Sequence, residues 1–252
     1  MTVLLLRLAG PLQSWGSAAR FARRGTENAP TKSGVLGLLA AAEGRPRDAD
    51  LSDLTALRFG VRIDQPGSRM RDFHTAHHSD SGKSMPISER FYLADAVFVA
   101  GVEGEPELIG RLYRAVRVPR FLPYLGRRSC PPSRPLDMGA PQEGVSLDEA
   151  LRRADWQASD WYVEQLARTA RYGGGPVGPE SLDLLLDCSP DETPHLSLRD
   201  KPVSFDPRHR QYALRGVLTG RTTAPPRHDP TAALRPVDPP TGSGTESVMR
   251  TS

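Results

Sequence analysis

Cysteine is scarce in this 252-residue chain: Cys130 and Cys188 stand alone, with no C-x-x-C pair. Two thiols make no disulfide framework, so they are expected to be free and reduced, as in a cytoplasmic protein. Long apolar runs are missing too. None approaches the ~20 residues of a membrane-spanning helix. The opening stretch at residues 3–8 is interrupted by Arg7 and lacks the apolar core of a signal peptide. Cytoplasmic localisation, with no membrane partner, is the expectation. No internal repeat is present, and no second Cys/His cluster completes a four-ligand metal set.

Apolar residues make up 38% of the chain and charged residues 25%, enough for one large domain or two small ones. The formal net charge is +3, unevenly spread. Residues 1–142 carry 20 Lys/Arg against 14 Asp/Glu, residues 143–192 carry 4 against 11, and residues 193–252 carry 9 against 5. Basic residues gathered in loops attract a polyanion; spread over a surface, they merely solvate it.

The apolar pattern predicts strands over 3–8, 58–64, 91–100, 182–187 and 211–218, and helices over 33–42, 105–116 and 147–153. Ser33 is the expected N-cap of the first helix, with Val35, Leu36, Leu38 and Leu39 as its buried face. Residues 65–90 are polar and contain Gly67, Gly82 and Pro86, which suggests a hairpin or arm. Five prolines between 119 and 135 make that segment an ordered loop, and Gly-rich 172–178 is another. From about residue 221 the chain turns to Pro, Thr, Gly and Ser, the composition of a disordered tail over 221–252. The element order accommodates an α+β, ferredoxin-like (β-α-β-β-α-β) core over 1–220 with insertions, the arm at 65–90 among them. RNA lies over the sheet or the loops of many such domains.

Four segments carry chemistry. In LRLAGPLQSWG (6–16), Trp15 offers a face on which a base can stack and Gln13 a group that can bond a base edge; the alternative is that Trp15 packs over the core. Four arginines (7, 20, 23 and 24) precede the first acid, Glu27. Pro30-Thr31-Lys32-Ser33 echoes a phosphate-binding loop but lacks its glycines, which excludes a wrapped triphosphate. Lys32 at a helix N-terminus still suits a single phosphate. In RMRDFHTAHH (69–78), His74 is a possible base for metal-free RNA cleavage, or a partner of Arg71 and Phe73 in a non-catalytic RNA clamp. RFLPYLGRRSCPPSR (120–134) contains Arg120, Arg127, Arg128 and Arg134 with no acid among them, and Tyr124 interleaved. Guanidinium forks match phosphates, and Gly126 permits a close backbone approach. Phe121 and Leu122 are expected in the core.

These segments resemble the CasD family of type I-E CRISPR Cascade. LRLAGPLQSWG, PTKSGVLGLLAAAEG (30–44), LRFGVR (57–62), RDFHT (71–75), YLADAVF (92–98) and PYLGRRSCPPSRPL (123–136) carry the resemblance, and RDKPVSFDPRHRQYALRG (199–216) matches more weakly. Residues 141–198 and the tail match poorly. The resemblance implies an RNA-recognition-type (RAMP) ferredoxin fold with a thumb. It further implies a non-catalytic subunit, without cofactor, that caps the 5′ handle of the crRNA and contacts the backbone subunit CasC and the large subunit CasA. On this basis Gln13, Trp15, Lys32 and Ser33, the thumb residues Arg71 and His74, and Tyr124, Arg127, Arg128 and Ser129 are the expected RNA contacts. A metal-independent endoribonuclease acting on precursor crRNA is the alternative, because a related subtype uses its counterpart of this subunit that way.

Overall fold

A computed structural model describes residues 1–16, 23–173, 179, 181–206, 208 and 210–225. In chain order the elements are β1 (Thr2–Ala9), β2 (Leu12–Gln13), β3 (Arg23–Arg24), α1 (Lys32–Glu43), α2 (Ser52–Thr55), β4 (Arg58–Gln65), β5 (Ser68–His74), β6 (Ser88–Ala94), β7 (Val97–Gly104) and α3 (Pro106–Arg117). They continue with β8 (Gln142–Glu143), α4 (Leu147–Arg153), α5 (Asp160–Gly173), β9 (Leu182–Asp187), β10 (Leu196–Ser204) and β11 (Gln211–Thr222). Among the described residues no helix is long and apolar enough to cross a membrane.

β1 is apolar along nearly its whole length because both of its faces are covered. It lies inside a seven-stranded sheet of order β10-β11-β9-β4-β7-β1-β8, in which every neighbouring pair is antiparallel. Leu4, Leu6 and Leu8 point to one side and pack with Phe59, Val61, Phe98 and the apolar faces of α1 and α3. Val3, Leu5 and Val99 point to the other and meet Leu147, Ala150 and Leu151 of α4. Opposite-facing neighbours along one strand follow from its two-residue period.

The segment 141–198 is thus part of the core: α4 covers one face of the sheet and β9 lies next to β4. Arg62, fully buried in β4, holds α4 in place. It pairs with Asp64 (2.7 Å) and donates to the carbonyls of Leu151, Ala154 and Asp155, filling acceptors that the helix end leaves open. Burial pushes the Asp64 carboxyl above the usual carboxylate range, opposed by the Arg62 guanidinium and the Gln157 amide. With α4 seated there, RNA has no access to this part of the sheet face.

Residues 91–100, expected as one strand, are two. Asp95 takes a left-handed conformation (φ 56°) and separates β6 from β7. β6 belongs to a second, smaller sheet, with β5 along one side and the short β2 and β3 along the other. β5 and β6 form the hairpin anticipated at 65–90, continued outward by the His77–Ser84 bridge. α5 and β10 had no counterpart in the sequence reading. β11 runs through Thr222, so the composition change at 221 falls inside a strand; most of the expected tail, from 226, lies outside the described residues, as does most of the Gly-rich 172–178.

Candidate nucleic-acid interface

The three segments richest in signal pack against one another. Gln13 is fully buried, and its amide nitrogen donates to Ala96 O (2.7 Å) and Leu8 O (3.0 Å). Its oxygen accepts from the Trp15 indole at 3.0 Å. Trp15 is buried at 0% exposure and lies against Gly34 of α1, where a Cβ would come within 2.7 Å of the ring. Ser14 N donates to Leu125 O, which draws the 123–136 loop alongside. Gly126, at φ 82°, makes the close approach foreseen for it, but to Ser14: an added Cβ would lie 1.8 Å from Ser14 O. The close contact is intramolecular.

Lys32 is also taken up inside the chain. Its Nζ donates to Leu57 O (2.6 Å) and to Asp187 (2.7 Å), and burial lowers its pKa from the ordinary lysine value. Its backbone N–H donates to the Asp200 carboxylate at 2.8 Å. Asp200 and Asp187 are in turn held by Arg215, each at 2.7 Å. The phosphate expected at the start of α1 therefore finds its place occupied by a carboxylate of β10. The N-cap is Thr31, not Ser33: Thr31 Oγ1 accepts from Gly34 N, and Ser33, 7% exposed, lies in the first turn. The structure places Gln13, Trp15, Lys32 and Ser33, expected as RNA contacts, inside the fold, with the polar groups of Gln13, Trp15 and Lys32 bonded to neighbours in the same chain.

One group of exposed cations lies on and around the smaller sheet. Register places Arg69, Arg71 and Phe73 of β5 opposite Leu93, Phe91 and Glu89 of β6, on one face, and Arg23 of β3 beside Glu89. On this face Arg23 lies over the Phe91 ring (5.2 Å) and Arg71 over Phe73 (5.0 Å), with Glu89 3.9 Å from Arg23 and 3.8 Å from Arg71. The result is a strip of alternating guanidinium and aromatic groups. Phe73 is 55% exposed, free to take a base. Exposed pairs as long as those of Glu89 are worth ~1 kcal/mol or less, so either arginine can leave for a phosphate.

The opposite face carries Met70, Asp72 and His74 against Tyr92, Arg90 and Ser88. His74 Nε2 lies 2.5 Å from Asp72 Oδ2. Arg71 and His74, expected on one clamp, therefore look in opposite directions. Arg127 joins the base of the hairpin: its guanidinium lies 4.7 Å from the Tyr92 ring, Nη2 donates to Arg24 O (2.9 Å), and buried Nη1 has no partner among the described residues. Tyr124 is half-buried, and Arg128 and Ser129 are exposed on the same turn. Phe121 and Leu122, expected in the core, stand in solvent at 53% and 87% exposure. Sequence reasoning noted Arg23 only as part of a charge count and missed Phe91. The alternation Arg90-Phe91-Tyr92 after the arm was the available signal, hidden by assigning 91–100 to the core.

The family described as CRISPR-associated protein (Cas_Cas5) matches residues 3–218. The CRISPR system Cascade subunit CasD of Escherichia coli (strain K12) is 42% identical over 183 residues, covering 64% of this chain and 81% of that protein. A solved structure described as a Cas protein superposes with a TM-score of 0.68 at 38% identity, over 90% of this chain and 100% of that one. A chain from a CRISPR RNA-guided surveillance complex does so at 0.67 and 30%, over 88% and 91%. The knot of LAGPLQSW and PYLGRRSCP around Trp15, together with a family match spanning nearly all the described chain, places this protein in the CRISPR-associated Cas5 family.

Proposed function

We propose that this chain is the non-catalytic subunit that caps the 5′ handle of the crRNA in a type I-E Cascade surveillance complex. Its grip consists of the Arg23–Phe91–Arg71–Phe73 strip and the turn at Tyr124, Arg127, Arg128 and Ser129. The observation that carries this reading is the strip itself: cations alternate on one face with the half-buried ring of Phe91 and the exposed ring of Phe73, suited to a single strand whose phosphates and bases alternate. The order β4-β7-β1-β8, with α1 crossing from β1 to β4 and α3 crossing from β7 to β8, supports a ferredoxin-like core of the RNA-recognition type. Because α4 closes one sheet face, RNA is held at the hairpin and loops. In this reading the chain works in the cytoplasm, needs no cofactor, and meets the backbone subunit CasC and the large subunit CasA.

One observation favours a second reading, a metal-independent endoribonuclease. Asp72 orients the His74 imidazole, with Arg90 in register beside Asp72, so a base and a cation share one face. Incubating the purified protein with labelled repeat RNA in EDTA separates the two. Binding without cleavage, weakened in Arg71→Ala and unchanged in His74→Ala, is the expected result. Cleavage in EDTA that His74→Ala abolishes would replace the capping reading with the nuclease.

A further inference from the structure

Three large apolar side chains stand in water within five residues: Val118 at 82% exposure, Phe121 at 53% and Leu122 at 87%. One exposed leucine needs no explanation, but a contiguous apolar patch does. The segment is held firmly. Val118 N donates to Arg114 O at the end of α3, and Arg120 N donates to Ala42 O at 2.9 Å. The Arg120 stem lies over Gly44, and Pro119 and Pro123 bracket Phe121 and Leu122. The apolar tips are therefore already ordered, and little conformational freedom remains to be lost on binding. Next to them opens a groove of about 220 Å³ walled by Val116, Pro123, Pro132 and Pro135. Arg117 and Arg134 line it as well, with Asp137 as its carboxylate. Arg114 and Arg120 are exposed on the same segment.

We propose that Val118, Phe121, Leu122 and the adjoining proline-walled groove are a docking surface for a neighbouring protein subunit that presents apolar side chains flanked by carboxylates. This deepens the proposed function, resting on its premise that the chain works among other protein subunits. Charge and side-chain type select the occupant. A second copy meeting this patch across a two-fold axis would set arginines against arginines. An RNA strand would satisfy the guanidinium groups and find one ring at Phe121, but it would leave Val118 and Leu122, the two most exposed of the three apolar tips, without a partner. An acidic, apolar-faced protein segment satisfies both the tips and the rim, as interface cores with charged borders do.

The test uses the full chain, repeat RNA and the other purified subunits of its own complex, with incorporation followed by native mass spectrometry. Phe121→Asp/Leu122→Asp should keep the wild-type melting temperature and RNA affinity but need at least about tenfold more protein for half-incorporation. Arg117→Glu/Arg134→Glu should also weaken incorporation, and the deficit should shrink as salt rises. Should the double variant fail to fold, Leu122→Ser alone supplies the same comparison. Full incorporation of the folded apolar variant, or a wild-type chain that joins no other subunit, overturns the proposal. So does a loss of RNA affinity in the isolated variant, which would make RNA the occupant, or a wild-type dimer that the substitution dissolves. If the wild-type chain incorporates normally but has no affinity for the handle, the capping reading fails and the docking surface stands.

Discussion

Trp15 illustrates how one residue type supports two chemistries. A tryptophan in a Gly- and Pro-rich loop near arginines is what a base-stacking platform looks like in sequence. In the fold its ring fills the space over Gly34, and its indole N–H is satisfied by Gln13. Trp15→Ala should therefore destabilise the RNA-free protein by ~3–5 kcal/mol, since a large ring is removed from a packed site. A melt of the isolated chain reads this directly; an unchanged transition with weakened RNA binding would restore the stacking role. Lys32 behaves similarly. Its charge looked available for a phosphate, yet two acceptors hold it inside the protein, and Asp200→Ala should cost ~3–5 kcal/mol because Arg215 and the α1 N-terminus lose their carboxylate. Denaturant unfolding of Asp200→Ala against wild type checks the figure.

At the scale of elements, helix ends are tied by charge. Arg45, just past α1, makes a forked contact with Asp53 of α2 (2.7 and 2.6 Å), and Arg111 of α3 reaches Asp53 and Glu43 at 3.5 Å. The Arg45 hydrogen bond holds the Asp53 carboxyl below its usual pKa, against a smaller upward push from burial. A carboxylate with a depressed folded-state pKa adds stability that is fully present above the unfolded value and lost as pH falls through the folded one. Asp53→Asn should thus be less stable than wild type at pH 7, with the difference starting to shrink near pH 4 and gone only once pH has fallen through the lower folded-state value. The group is partly exposed, so the neutral-pH difference should be ~0.5–1 kcal/mol. Equal stability at pH 7, or a gap that widens in acid, would contradict the assignment. β11 invites a second comparison. Thr222 pairs with Leu182, and Ala224 packs against the Trp156 cluster. Truncation after Gly220, where composition seems to end the fold, should lower the melting temperature more than truncation after Pro225.

For the molecule as a whole, two surfaces carry the proposed work: the hairpin with the arginine turn for RNA, and the apolar segment after α3 for protein. If Arg127 and Arg128 each contact one phosphate, the double alanine variant should flatten the salt slope of handle binding by about 0.7 per contact. Arg71→Ala should do the same by about one such increment. Arg127 is also a packing residue, lying on Tyr92, so RNA affinities must be compared at temperatures where every variant is folded. A salt slope identical to wild type in the double variant would remove this turn from the grip.

What was legible in the sequence is whatever depends on period and local chemistry. The buried strand at β1, the helices α1, α3 and α4, the hairpin and the proline-stiffened arginine loop follow from apolar spacing, breakers and charge within a few residues. Tertiary structure decided whatever depends on partners far apart in the chain. Lys32 meets Asp187 and Asp200, Arg62 meets Ala154, Gly126 meets Ser14, and Asp95 divides a continuous apolar run between two sheets. No local pattern records whether a cation, a ring or a leucine faces protein or water. That depends on which distant segment closes over it, and here β10 and the 123–136 loop enclosed the expected contacts at Gln13, Trp15, Lys32 and Ser33 while leaving Arg71, Phe73, Arg128 and Leu122 in the open.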